Sequence, residues 1–223
     1  MTAEPGAAPH PLLPLLLDAA DGRFPPVDGE VTVLPGLGRG LSCSVAFTGH
    51  AVVAADLPAA GVRARAGNGF GGSMTPDFLR WLAGPEHVIG EVDVVLAARG
   101  TGPGSGPGTG PERQLTPRQD LEQHIRVRYA RAVRTRVEVF GDERGFVTLA
   151  DGLAGRRELS IELERPGAGL GRSLLADALE LIPAGAPVFA AVSPGNARSL
   201  RAFLAAGFVP IGSESLIRPA QRG

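Results

Sequence analysis

The spacing of apolar and polar positions changes period several times along the chain, and each change predicts an element. From Glu158 to Glu164 the residues alternate, with Leu159, Ile161 and Leu163 on one side and Glu158, Ser160, Glu162 and Glu164 on the other. That is the period of a pleated strand with one buried face. At Leu170 the period lengthens, and Leu170, Leu174, Leu175, Ala178, Leu179 and Ile182 recur at helical spacing until Pro183 and Gly185 end the run. An apolar run from Val188 to Val192 predicts a second strand, and a second helix follows it and stops at Gly207-Phe208.

The earlier chain is read in the same way. Leu12 to Ala20 predicts two helical turns and Glu30 to Leu34 a short strand. Leu41 to Phe47 and Ala51 to Leu57 flank Thr48-Gly49-His50 as a hairpin, whose His50 is expected to be solvent-exposed and structural. Thr75, Pro76 and Gly84 give one helix its cap, first position and stop. Val92 to Ala97 predicts a buried strand, and the Gly, Pro, Ser and Thr stretch Thr101 to Pro111 a linker or long loop. Thr116 and Pro117 are expected to open a helix running to about Arg134, although residues 125–139 also alternate and leave a strand open for part of it. Strands Arg136 to Phe140 and Phe146 to Ala150 complete the pattern.

Between the strand ending at Glu164 and the helix near Leu170 stands Pro166-Gly167-Ala168-Gly169-Leu170-Gly171-Arg172-Ser173. Glycine at alternate positions lets the backbone approach a ligand without a Cβ in the way, and the helix start behind it presents unpaired N–H groups. Those donors and the positive end of the helix dipole favour a pyrophosphate, with Arg172 able to add a charged contact. The turn is not a Walker loop, which needs a lysine, because every basic side chain apart from the histidines is arginine. Nor is it a dinucleotide fingerprint, since Gly167, Gly169 and Gly171 are one residue out of register.

The turn does resemble the acyl-CoA motif Q/R-x-x-G-x-G/A of the GNAT acetyltransferases, with Gly169-Leu170-Gly171 as its G-x-G and Pro166 where the leading Gln or Arg stands. Ser193 to Phe208 is similar to the second signature of that family, beginning at Asn196 and closing on Gly207-Phe208. The resemblance implies an α/β, more strictly α+β, fold: a mixed, mostly antiparallel GNAT-type sheet flanked by helices. It places an N-terminal α+β region at 1–100, a linker at 101–115 and the acetyl-CoA-binding domain at 116–217. The N-terminal region is expected to complete the sheet or to form a degenerate GNAT-like half.

The same resemblance implies N-acetyl transfer from acetyl-CoA, as co-substrate, to a primary amine of a small molecule or peptide. It implies that the backbone of Ile161, Glu162 and Leu163 meets the pantetheine between two splayed strands. Gly167, Ala168, Gly169, Leu170, Gly171, Arg172 and Ser173 would hold the diphosphate, and Asn196, Ser199 and Phe203 would contribute from the following loop and helix. Glu162 and Glu158, on one face of the strand, are the candidates for catalytic base, and no metal is called for. Phe203 falls where family members carry a tyrosine acid, and Tyr129, the only tyrosine, lies on an earlier segment. Catalysis therefore stays open against an alternative in which the chain binds or senses acyl-CoA without transfer.

Composition narrows the setting. The chain has 223 residues, 43% of them hydrophobic, which suffices for a core. With 22 basic against 23 acidic residues it lacks the basic surplus of a nucleic-acid surface. Its one cysteine, Cys43, cannot form an internal disulfide and is expected to be a buried small apolar residue, which points to a reducing cytoplasm. The apolar stretch His10 to Leu17 is too short and too proline-broken for a membrane span. Monomer and homodimer remain equally open.

Overall fold

The structure is a computed structural model and describes residues 8–104, 115–165, 167 and 169–220. The chain forms two compact units. One takes in the chain up to Gly90 with Leu153–Gly155 and the end from Leu216; the other comprises Glu91–Gly152 and Arg156–Ser215.

The first unit contains α1 (Leu12–Ala20), β1 (Val31–Leu34), β2 (Ser42–Phe47), β3 (His50–Ala54), α2 (Ala59–Ala66), α3 (Pro76–Ala83) and the start of β4 (His87–Arg99). β3 lies between β1, which runs parallel to it, and β2, which runs antiparallel. Paired on both edges, β3 is buried at all five positions. Its core joins Val31, Ala51 and Val53 to Val62 and Ala66 of α2 and to Phe78, Leu79 and Leu82 of α3. α3 has the expected ends, with Phe78 N–H donating to Thr75 Oγ1 at 3.3 Å and Gly84 closing the helix at φ 60°. Cys43 is buried as expected.

Two features of this unit differ from expectation. α2 went unpredicted because only Val62 and Ala66, four residues apart, are buried on it, so its sequence shows no apolar stripe. His50 is buried rather than exposed: Nδ1 lies 2.9 Å from Asp28 Oδ1 and Nε2 3.0 Å from Thr32 Oγ1. Partners 22 and 18 residues away took the ring out of solvent, and a local hairpin pattern carries no sign of them. The Glu30 N–H and then His50 hold the Asp28 carboxyl below its usual range.

The second unit contains most of β4, then β5 (Thr116–Pro117), α4 (Ile125–Val133), β6 (Thr135–Asp142), β7 (Gly145–Asp151), β8 (Arg157–Leu163), α5 (Leu170–Glu180), β9 (Pro187–Val192), α6 (Ala197–Ala205) and the first part of β10 (Val209–Pro219). The order β4-β9-β8-β7-β6-β5 is antiparallel at every junction except β8 with β9, which is parallel. Mixed, mostly antiparallel pairing is the sheet type expected. The segment 116–124 is not α-helical: Thr116 and Pro117 pair with Gly141 and Phe140, a single 3-10 turn follows at Gln119–Leu121, and α4 begins only at Ile125 behind the His124 cap. The partner strand, 25 residues away, claimed a dipeptide whose local chemistry suits a helix start. Of the expected linker, 105–114 lies outside the described residues. The ends that are described are held: Thr101 and Gly102 donate to Leu179 O and Ile182 O at 3.0 Å, and Leu115 is buried in the core.

The two faces of this sheet differ in chemistry. Val147, Leu149, Leu159, Val188, Ala190 and Val192 join Leu174, Leu175 and Ala178 of α5 and Phe203 of α6 in one apolar cluster. On the opposite face α4 covers a small cluster of Val127, Val139 and Phe146, and the neighbouring positions are charged. The alternation of β8 is the origin of this division.

Candidate active site between two diverging strands

β8 and β9 are neighbours in the sheet, yet the ladder between them consists of a single pair, Glu158 with Phe189. β7, by contrast, pairs with β8 at all seven positions from Arg157 to Leu163. One edge of β8 is therefore fully used, and the edge facing β9 is left without a strand partner beyond Glu158. Ile161, Glu162 and Leu163 all lie in that open part, half-buried.

At the open end the chain enters the glycine turn. Gly169 takes a left-handed conformation, φ 81°, as the residue before α5, and among the described residues no side chain caps the helix. Ser173 N–H closes the first helical bond onto Gly169 O at 3.0 Å, so the N–H groups of Leu170, Gly171 and Arg172 precede the internal ladder. Among the described residues, nothing lies within 4 Å of where a Cβ on Gly169 would stand. Gly171 is glycine for a different reason: a Cβ there would sit 3.3 Å from Ala202 Cβ and 3.6 Å from Leu163 Cδ1, where α5 passes close to α6 and β8. Arg172 is exposed, and among the described residues it makes no ion pair. Arg144 braces this corner, donating to Ser173 Oγ at 3.0 Å and to Asp177 Oδ2 at 2.5 Å while pairing with Asp142. Ala168 lies outside the described residues.

The residues expected from the following loop have structural partners. Asn196 caps α6, accepting from Ser199 N–H at 3.1 Å. Phe203 is buried, with its ring edge-on to Phe208 at 4.9 Å in the apolar core. Tyr129 sits half-exposed on α4.

The candidate bases differ from each other. Glu162 is part-exposed and ion-paired to Arg126 at 2.7 Å, with His124 Nε2 at 3.6 Å. Glu158 is 4% exposed, and its two oxygens are taken by Arg134 at 2.7 Å and Arg156 at 2.9 Å. Arg156, fully buried, also binds Glu214: Nη2 donates to Oε1 at 2.8 Å, while Nη1 and Oε2 lie 2.7 Å apart but poorly aligned for a hydrogen bond. Its guanidinium stacks 5.3 Å from the Phe189 ring centre. Burial alone would lower the Arg156 pKa, but Glu214 and Glu158 overcome it and raise it. Burial pushes the Glu214 carboxyl up against the pull of Arg156. Gly152 is required beside this group, since a Cβ there would overlap the Glu158 carboxylate.

Sequence reasoning missed Arg156, Glu214 and Asp93, which the fold brings to the same face as Glu158. Asp93 is on β4, and burial first, then the charges of Glu214, Glu91 and Glu158, push its pKa up to about 7. An aspartate beside a run of valines was the one available signal, and it does not name its neighbours.

No protein-family model matches the chain, and no curated protein matches it. Among solved structures it is similar to a GCN5-related N-acetyltransferase from Kribbella flavida, with TM-score 0.38 and 13% identity over 61% of each chain. It is also similar to a putative acetyltransferase from the GNAT family of Novosphingobium aromaticivorans, with TM-score 0.41 and 15% identity over 61% of this chain and 69% of that one. The match thus spans less than two thirds of the Kribbella protein.

Proposed function

We propose that the chain is an N-acetyltransferase of the GNAT type, moving an acetyl group from acetyl-CoA to a primary amine. The observation that carries this reading is the divergence of β8 from β9 after the Glu158–Phe189 pair, opening beside an uncapped helix start. The residues present suit a pantetheine thioester. The free edge of β8 offers alternate N–H and C=O groups over Ile161 to Leu163, which suits the amides of an extended arm. The N–H groups of Leu170, Gly171 and Arg172, with the Arg172 guanidinium, suit a diphosphate. A β8 N–H near Leu163 is the donor for the oxyanion of the tetrahedral intermediate. Bound acetyl-CoA supplies the activated acyl group.

Asn196 and Ser199 act in this reading through the helix start they fix, and Phe203 through the core beneath it. With phenylalanine on α6, the leaving thiolate departs without an acid from that helix, which its thiol-like pKa of about 8.5 permits. The buried Phe203 and the ion-paired Glu158 and Glu162 also favour a second reading, an acyl-CoA-binding protein that does not transfer. In the transferase reading the acceptor would be a small molecule or peptide rather than nucleic acid. Among the described residues no helix is long and apolar enough to cross a membrane.

Two measurements test the proposal. Acetyl-CoA and CoA are expected to raise the melting temperature, because a ligand bound only by the folded state stabilises it, and NAD is not. Free thiol should then appear with a primary amine. Stabilisation by CoA without thiol release selects the second reading, and no response to CoA rejects both.

A further inference from the structure

Granting acetyl transfer at the β8–β9 opening, we propose that Asp93 is the catalytic base that takes the proton from a cationic primary amine. Three observations lead there. Val94 pairs with Val192, so Asp93 stands one residue beyond the last β4–β9 pair, level with the end of β9 where β8 has already diverged. Val94, Leu96 and Ala98 pack into the apolar cluster, so Asp93 faces the other way, toward the side that carries Glu158, Glu162 and the Phe189 ring. Among the described residues no hydrogen bond or ion pair reaches its carboxylate, whereas Glu158, Glu162 and Glu214 are each held by arginine.

The charged groups around Asp93 are Glu91 on its own strand, Glu214 on β10, Glu158 on β8 and Arg134 at the end of α4. Burial disfavours its charged form, and three carboxylates against one guanidinium add to this. A base that titrates near 7 is matched to neutral pH, where it is charged often enough to act and basic enough to accept. The carboxylates of Glu91 and Asp93 also favour an acceptor that arrives as an ammonium ion.

The step balances as follows. Asp93 accepts one proton from the ammonium, freeing the nitrogen lone pair, and later passes that proton to water. The lone pair forms the C–N bond as the carbonyl π electrons move to oxygen. Their return breaks the C–S bond and expels the thiolate, which takes the second proton from nitrogen. The products are the amide, CoA thiol and one proton.

The test is thiol release from acetyl-CoA with tyramine, benzylamine and cadaverine as probe amines, followed from pH 5 to 9, together with a carboxyl NMR titration of the intact chain. In the wild type, kcat/KM is expected to rise with an apparent pKa near 7, matching the Asp93 resonance. Asp93→Asn should lose about 100-fold or more in kcat/KM and the inflection with it, while keeping its melting-temperature response to CoA. Glu91→Gln should move the inflection to lower pH, an effect that a purely structural role for Asp93 does not give. The proposal is overturned if Asp93 titrates in the ordinary carboxylate range, if Asp93→Asn keeps the wild-type profile, or if the CoA-binding wild type releases no thiol with any of the three amines. A wild type that does not respond to CoA removes the cofactor reading itself and the role of Asp93 with it, so the two failures are told apart.

Discussion

The two sides of β8 are made from the same seven residues and solve opposite problems. On the α5 and α6 side Leu159, with Ile161 and Leu163 packed against the cluster, touches only hydrocarbon, and its stability comes from apolar area removed from water. On the other side Glu158 is equally buried but carries charge, so it is tolerable only because Arg134 and Arg156 stand against it. The apolar side tolerates small errors of packing. The charged side tolerates no missing partner, and among the described residues no arginine pairs with Asp93 there.

The sharpest way to break this contrast is Arg156→Leu. Losing the guanidinium leaves Glu158 and Glu214 facing each other in a dry site, and a cost of about 3–5 kcal/mol is expected. Because those carboxyls would then be more easily protonated, denaturant titrations should show a smaller cost at pH 5 than at pH 8. Leu174→Ala on the apolar side should cost somewhat less, about 2–4 kcal/mol, with no change between the two pH values. A pH-dependent Leu174 variant or a pH-independent Arg156 variant would erase the distinction between the faces.

Asp93→Asn gives a smaller effect of opposite sign. The folded pKa of Asp93 lies above its unfolded value, so the folded state binds more protons between about pH 4 and 7 and loses stability as pH rises through that window. The asparagine variant should therefore gain on the wild type across that range, by ~1–2 kcal/mol once solvent screening of a partly buried group is allowed for. Equal melting temperatures at pH 8 would show that its neighbours do not press on this carboxyl. Smallest of all, Glu162→Gln breaks a part-exposed pair with Arg126 and should change stability by less than about 1 kcal/mol.

Much of the second unit was legible because its elements announce themselves locally. The alternation of β8, the helical spacing of α5 and the glycine at the left-handed position each follow from side-chain period or backbone freedom within a few residues. Where partners lie far away in sequence the pattern misled. Thr116-Pro117 looks like a helix start and is a strand, because Gly141 and Phe140 claim it. His50 looks like a hairpin tip and is buried, because Asp28 and Thr32 reach it. α2 has too little buried surface to leave a trace.

What the amino acids fixed by themselves is the glycine turn before α5 and the two-sided character of β8, since glycine freedom, helix polarity and period-two alternation act over neighbouring residues. Only the tertiary structure decided which carboxylates are locked and which is free. Glu158, Glu162 and Asp93 all carry carboxylates, and what separates them is the arginine from α4 or from the chain before β8 that each does or does not meet. Those charges act through space over a few ångströms, between residues up to 121 positions apart from Asp93 to Glu214.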